Sequence, residues 1–156
     1  MTWILAIDPG SEQSAVLRYE VESRAVDCAG ILSNEEVLKV LLPLGRHQTR
    51  LAVEMIACYG MPVGKEVFET CVWIGRFLQA WDGTAELVYR REVKLHLCDS
   101  ARAKDANVRQ ALIDRFGPGK DRAIGKKASP GPLFGFKADL GAALGVAVTV
   151  GDRGEK

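Results

Sequence analysis

The chain has few of the residues that build metal-thiolate sites or disulfide-stabilised folds. Its 156 residues include four cysteines and two histidines, and no C-x-x-C pair occurs. This spacing argues against a zinc site and against a disulfide framework. We therefore expect reduced cysteines that serve structural roles.

Long apolar runs are also missing, and so is a basic N-terminal segment. No stretch of apolar residues reaches the length that a membrane-spanning helix needs. The first residues do not follow the basic-then-apolar pattern of a secretory signal. From these features we expect a cytoplasmic protein that does not associate with membranes.

The sequence has almost no net charge, but its charge is unevenly distributed. Residues 1–60 contain five Lys and Arg against eight acidic residues, a net charge of −3, whereas residues 90–127 contain eleven against five, a net charge of +6. An acidic part next to a basic stretch is expected of a protein that binds an anion at an acidic site.

The apolar pattern predicts one α/β domain over residues 1–151 and a flexible tail over residues 152–156. Three strands are followed by a helix that Asn34 caps, and two further strands are each reached through a helix. Residues 117–136 have the composition of a loop, and a helix rich in small residues follows. This order favours a mixed five-stranded sheet with helices on both faces. The predicted strands are 3–8, 14–23, 24–32, 50–55 and 84–90, and the predicted helices are 35–44, 65–81, 91–100, 103–116 and 137–150.

Three carboxylates occur at the ends of predicted elements. Asp8 ends the first strand, Glu54 ends the fourth strand, and Asp139 opens the last helix. Each has an ordinary explanation when taken alone: a turn cap at Gly10 or Ser11, a surface residue, and a favourable charge at a helix N-terminus. If the first and fourth strands are neighbours, however, the three side chains can meet. Clustered carboxylates repel one another, so such a cluster normally holds a cation, and Mg²⁺ is the natural one.

Three segments that contain these acids resemble the metal-site segments of the RuvC-type Holliday junction resolvases, which have the RNase H-like fold. The segments are AIDPG, LAVEMIACYGMPVG and KADLGAALGVAVT, and the similarity extends to Val93-Lys94 and to the helix KDANVRQALIDRFG. The resemblance is greatest to the small RuvC-like resolvases of bacteriophages and prophages.

This resemblance implies that Asp8, Glu54 and Asp139 are catalytic metal ligands for two Mg²⁺ ions, with Mn²⁺ as a possible substitute. The bacterial resolvases carry a fourth acid one helical turn after the third, where this chain has Ala142. Asp105, Glu66 or a water molecule could fill that position. We expect the chain to need more Mg²⁺ than a relative with four acids, or to prefer Mn²⁺.

Five residues are candidates for nucleic-acid binding. Tyr59 and Met61 lie in the loop after Glu54, where related resolvases place an apolar or aromatic residue on unpaired bases; closing a hydrophobic loop is an equally good explanation. Basic residues of the 90–127 stretch could contact phosphates or could be solvated surface. We select Lys94, Lys104 and Arg109 from that stretch.

The resemblance implies a Mg²⁺-dependent endonuclease that resolves Holliday junctions in DNA recombination or phage DNA processing. Two symmetric cuts require a dimer, and helix 65–81 offers Phe68, Val72, Trp73 or Phe77 as dimer contacts. Two alternatives stay open. One is a nuclease of the same fold that acts on structured RNA or forked DNA, and the other is a junction-binding protein with impaired catalysis.

Overall fold

The computed structural model describes residues 1–44 and 48–154, and these residues form a mixed sheet between two layers of helices. His47 and the last two residues of the predicted tail, 155 and 156, lie outside the described residues. The sheet strands are β1 (Trp3–Asp8), β2 (Gln13–Glu20), β3 (Ala25–Ser33), β4 (Thr49–Met55) and β5 (Ala85–Tyr89). Between and after them lie α1 (Asn34–Leu44), α2 (Lys65–Ala80), α3 (Arg90–Cys98), α4 (Asp105–Phe116), α5 (Lys120–Ala123), β6 (Gly125–Lys126), β7 (Ser129–Pro130) and α6 (Ala138–Arg153).

The sheet places β1 at its centre, with the strand order β3-β2-β1-β4-β5. The first three strands pair antiparallel as a meander, whereas β1, β4 and β5 run parallel. The register pairs Ala6 with Ala52 and Ile7 with Val53. The sequence prediction of neighbouring first and fourth strands is therefore confirmed, and their carboxyl ends meet at one edge of the sheet.

Each central strand is buried on both faces, which explains its nearly continuous apolar sequence. Along β1, Ile4 and Ala6 point into a core that α6, α3 and α4 cover, while Leu5 and Ile7 point into a second core under α1 and α2. Alternation of side chains along a strand produces this division. Small residues such as Ala6 and Ala52 allow α6 to lie close to the sheet.

Helix α6 extends further than the sequence predicts. It continues through Arg153, because the side chain of Asp152 pairs with His96 and Arg115 and the side chain of Arg153 pairs with Glu92. These ion pairs tie the end of α6 to α3 and α4. The predicted boundary between domain and tail at residue 152 thus falls inside the helix.

Residues 117–136 have more structure than their composition predicts. They contain the short helix α5 and the two-stranded pair β6–β7. The amide of Leu133 donates to the carbonyl of Ala123 at 2.7 Å, and the Leu133 side chain is buried in the core under α6. One buried leucine and a few backbone hydrogen bonds therefore hold a segment in which Gly, Pro and Lys hide any periodic pattern.

None of the helices in the described part of the chain is long and apolar enough to cross a membrane.

Candidate active site

Asp8 and Glu54 lie side by side at the carboxyl edge of the parallel strands. Asp8 follows Ile4 and Ala6 at every second position of β1, and Glu54 follows Ala52 in the same way on β4. Since Ala6 is paired with Ala52, both carboxylates project from the face of the sheet that α6 covers. The two carboxyl groups are close enough for each to influence the pKa of the other.

The turn after Asp8 is held by a buried polar network. Asn34 donates from Nδ2 to the carbonyl of Gly10 at 2.9 Å, and Ser14 Oγ donates to Asn34 Oδ1 at 2.6 Å. The Gly10 amide in turn donates to Ser14 Oγ, so the explanation of Asp8 as the cap of Gly10 is not what the structure shows. Glycine is required here because a Cβ at position 10 would lie 2.3 Å from the Gln13 carbonyl oxygen.

The same network corrects the sequence prediction for Asn34. Its side chain is fully buried and holds the β1–β2 turn instead of capping α1. Ser33 takes the capping position, since its hydroxyl accepts a hydrogen bond from the Glu36 amide at 3.2 Å.

The two edge carboxylates have perturbed acidities. Burial and, to a smaller extent, the negative charges of Glu54 and Asp139 together raise the pKa of Asp8 from 3.8 to about 7. Burial also raises the pKa of Glu54, against the opposing effect of the Arg90 guanidinium. Glu54 Oε2 is buried and has no hydrogen-bond partner in the described part of the chain. A buried carboxylate oxygen without a partner is costly unless a cation or a proton satisfies it.

Asp139 reaches the same cavity from the first turn of α6. We call this cavity the acid pocket; it has a volume of about 380 Å³ and is lined by Asp8, Glu54, Asp139 and Asp105. As the side chains are placed, no three His, Cys, Asp or Glu residues within 1–44 and 48–154 converge tightly enough to enclose a metal ion. The adjoining Asp8 and Glu54, with the buried unsatisfied oxygen of Glu54, are the part of the pocket that fits a hard divalent cation, and Asp139 lines the same pocket.

Ala142 lines the acid pocket where a fourth acid would have to enter it. Of the replacements that the sequence suggests, Asp105 lines the pocket and Glu66 does not. Asp105 is already neutralised: its Oδ1 accepts from Arg90 Nη2 at 3.0 Å and lies 3.7 Å from Lys94 Nζ. The hydrogen bond from Arg90 lowers the pKa of Asp105 below its usual value.

Arg90 is a candidate site residue that the sequence analysis does not single out. It is the first residue of α3 and directly follows β5, so its side chain enters the sheet edge that carries the acids. It lines the acid pocket and two neighbouring cavities. The signal in the sequence was its position, directly after the strand that neighbours β4.

A basic cleft adjoins the acid pocket. Its volume is about 350 Å³, and Arg90, Arg91, Lys94, Arg102 and Tyr59 line it. Of the basic residues that the sequence analysis selects, Lys94 lies in this cleft and Arg109 lines the acid pocket. Lys104 is exposed at the start of α4 and lines neither cavity.

The loop after β4 presents Tyr59 and Met61 to solvent. Their exposed fractions are 65% and 71%, so neither side chain closes a hydrophobic loop. Tyr59 has a positive φ of 49° and lines a small cavity together with Asp8 and Glu54. An exposed aromatic ring therefore stands beside the carboxylates.

Helix α2 divides its apolar residues between the core and the surface. Phe77 is fully buried and is therefore not available as a dimer contact, whereas Trp73 is partly exposed and packs on Phe77 with the rings 5.9 Å apart. Phe68 and Val72 are exposed at 63% and 64%. Only these two of the four predicted contact residues form an open apolar patch.

The strand order and the helices on both faces define an α/β protein of the RNase H-like fold. Among solved structures, that of RuvC from Thermus thermophilus matches with a TM-score of 0.69 and 17% identity over 95% of this chain and 92% of that chain. Thermus thermophilus RuvC in complex with a Holliday junction substrate matches with a TM-score of 0.62 and 17% identity, over 96% and 92% of the two chains. At this identity the likeness establishes the fold.

No family model matches the chain, and no curated protein matches it.

Proposed function

We propose that the protein is a divalent-metal-dependent endonuclease that cuts branched DNA, with four-way junctions as its substrate. The observation that carries this proposal is that Asp8, Glu54 and Asp139 share one pocket at the carboxyl edge of the sheet, beside a basic cleft. The likeness of the fold to a junction-bound RuvC supports the same substrate class. A role in recombination or phage DNA processing in the cytoplasm is the corresponding biological proposal.

Asp8 and Glu54 would hold the metal, and Asp139 would complete the site from α6. A bound divalent ion would activate a water molecule and stabilise the leaving oxygen of the phosphodiester, giving 5′-phosphate and 3′-hydroxyl ends. The sequence predicts two Mg²⁺ ions, with Mn²⁺ as a substitute, and that number stays a prediction. The raised pKa of Asp8 fits the role, since a nearby cation would restore the ionised form.

The basic cleft would bind the DNA backbone. Arg91, Lys94 and Arg102 line a groove that leads to the acid pocket, and phosphate contacts position DNA without reading its sequence. Substrate choice would then come from the shape of the junction. Tyr59, on the rim between the acids and the cleft, would stack on a base that is unpaired at the branch point, with Met61 beside it on the same loop.

Two subunits would make the two symmetric cuts. The exposed pair Phe68 and Val72 on α2 is the surface that supports a homodimer. A symmetric pair of subunits would present two acid pockets to the opposite strands of a four-way junction.

The test is a cleavage assay with four-way DNA, forked DNA and structured RNA, each with Mg²⁺ and with EDTA. We expect metal-dependent cuts in the four-way junction and their loss in Asp8→Asn. If the protein cuts structured RNA or forked DNA in preference to four-way junctions, the proposed substrate is wrong, while the proposed metal-dependent hydrolysis stands. The second candidate function is junction binding without cleavage, and the alanine at position 142 is the observation that favours it. In that case the parent protein would bind junctions without cutting them, and its binding would respond to metal in the same way as that of Asp8→Asn.

A further inference from the structure

Arg90 places a fixed positive charge among the carboxylates. Its guanidinium donates from Nη2 to Asp105 Oδ1, and its side chain is three-quarters buried, with 26% exposed. Nη1 is buried and has no hydrogen-bond partner among residues 1–44 and 48–154. The charge of Arg90 acts on both Asp8 and Glu54. A guanidinium held on one side and unsatisfied on the other is prepared to accept a further anionic partner.

The free side of Arg90 lies against α6, next to the position of the missing acid. A Cβ built on Gly145 would be 3.9 Å from Arg90 Nη1. Position 142 is three residues earlier and therefore lies on the same face of the helix. A fourth carboxylate at position 142 would project toward this guanidinium. The chain thus has a cation where a four-acid site has an additional metal ligand.

The formal charges of the residues that line the acid pocket also bear on how many metal ions it would hold. Four carboxylates and three cations line it, a formal charge of −1; the cations are Arg90, Arg109 and Lys137. One divalent ion and one phosphodiester would make this pocket neutral, whereas two ions would leave it with a charge of +2. A single divalent ion therefore matches the formal charge of the pocket better than two ions do.

We propose that Arg90 takes the place of one of the two metal ions, so that a single divalent ion is bound tightly and the guanidinium stabilises the charge that develops on the scissile phosphate. This inference rests on the proposed nuclease function. Asp105 is then a positioning residue and not the missing metal ligand, because its carboxylate already holds Arg90 and Lys94. Arg90 contacts the substrate; Asp105 acts through Arg90.

The first experiment counts metal ions on the DNA-free protein. Mn²⁺ is titrated and the free ion is followed by electron paramagnetic resonance, for the parent, R90Q, A142D and R90Q/A142D. We expect one tight Mn²⁺ per chain for the parent and two for R90Q/A142D, which regains the acid and loses the competing charge. A parent that binds two Mn²⁺ ions with similar affinity would overturn the inference.

The second experiment measures single-turnover junction cleavage at saturating metal. We expect R90Q to be slower by about 10²–10³-fold, as when a preorganised charge is removed from a transition state. D105N should be slower by a smaller factor, and R90Q/D105N no slower than R90Q, because both changes act through one group. R18Q is the matched control, since Arg18 forms a similar Arg–Asp pair with Asp27 at 3.3 Å and lines none of the three cavities; its rate should equal that of the parent.

Two further outcomes separate the inference from the function on which it rests. If the parent cuts and R90Q matches its rate to within about threefold, while D105N weakens Mn²⁺ binding, Arg90 is only a counter-charge and Asp105 is a ligand. If the parent cuts no junction, the proposed function fails, and the Mn²⁺ count still decides the role of Arg90. Thermal melts check folding, and R90K replaces R90Q in both experiments if R90Q does not fold.

Discussion

At the scale of the residue, the site is defined by groups whose surroundings disfavour their ordinary state. Asp8 is a carboxylate at the end of a buried strand. Within the residues that the structure describes, Glu54 has a buried oxygen and Arg90 a buried nitrogen without a hydrogen-bond partner. The buried polar side chains of the neighbouring turn differ from these groups, since Ser14 donates a hydrogen bond to Asn34. Unsatisfied groups that share one pocket are typical of a site that binds a charged ligand.

Asp8→Asn should stabilise the metal-free protein, and more so at higher pH. The folded-state pKa of Asp8 is raised from 3.8 to about 7. Its contribution to stability is therefore complete below about pH 4 and is lost as the pH rises through 7. In EDTA at pH 8, urea unfolding should show Asp8→Asn to be more stable than the parent by about 1–3 kcal/mol, with a smaller difference at pH 5.5. Asp27→Asn, on an exposed pair, is the control; an Asp8→Asn variant less stable than the parent at pH 8 would contradict the electrostatic account.

Tyr59→Ala should weaken binding to branched DNA and leave duplex binding nearly unchanged. Stacking of an aromatic side chain on a base contributes about 1–3 kcal/mol, which corresponds to roughly 5- to 150-fold in affinity. Fluorescence anisotropy in EDTA with a four-way junction and a matched duplex measures the difference. Leu42→Ala removes an equally exposed apolar side chain from α1 and should have no effect. Equal junction affinity of Tyr59→Ala and the parent would exclude the stacking role.

At the scale of the element, each functional side chain is positioned by the place where a strand or helix ends. Asp8 is the last residue of β1 and Glu54 is the penultimate residue of β4, while α3 begins with Arg90 and Asp139 lies in the first turn of α6. Because β1, β4 and β5 are parallel neighbours, their carboxyl ends bring three of these groups to one edge. This arrangement depends on the β1–β2 turn and on the close packing of α6.

Gly10→Ala should destabilise the protein and displace Asp8, because the new Cβ would lie 2.3 Å from the Gln13 carbonyl oxygen. We expect a loss of about 1–3 kcal/mol in the free energy of unfolding, measured with urea, together with reduced cleavage. At Gly30 in β3 a Cβ meets no atom within 4 Å. Gly30→Ala should therefore leave both quantities nearly unchanged, and equal effects of the two substitutions would show that the turn does not position the acid.

Phe68→Glu should convert a dimer into monomers, since it places a charge in the centre of the exposed α2 patch. Sedimentation velocity measures the change, and the DNA-free chain should keep its thermal stability at low concentration because Phe68 lies outside both cores. Leu42→Glu, at a comparably exposed position on α1, is the control. A parent that sediments as a monomer at all concentrations, on DNA and free, would exclude the dimer.

The elements themselves were largely predictable from the sequence. Short continuous apolar runs that lead to a carboxylate identify β1 and β4, and the spacing of apolar residues identifies α2 and α4. The structure of residues 117–136 is not predictable in this way. It is held by hydrogen bonds within the segment, such as that from Leu133 to Ala123, and by the burial of Leu133, and neither leaves a periodic pattern in the sequence. The extension of α6 to Arg153 was missed for a similar reason, since ion pairs with distant residues hold it.

At the scale of the whole molecule, the sheet has a hydrophobic core on each face, and the candidate site lies at the carboxyl edge of its parallel strands. The core under α1 and α2 carries the exposed α2 patch on its outside, while the face under α6 opens into the acid pocket and the basic cleft. The excess of basic residues over 90–127 thus lies next to the acids that come from distant parts of the sequence. The sequence predicted which acids belong together; it did not predict that Arg90 and Asp105 would pair, since a side-chain contact between α3 and α4 depends on packing.

The most direct test of the account is the position of a divalent ion in crystals of the protein soaked with Mn²⁺, read from its anomalous scattering. We predict an anomalous peak at the end of β1 and β4, where Asp8 and Glu54 would coordinate the ion and Asp139 would lie near it. The peak should be absent from crystals of Asp8→Asn. An empty acid pocket in the parent, with Mn²⁺ bound elsewhere or not at all, would contradict the claim that these carboxylates form a metal centre.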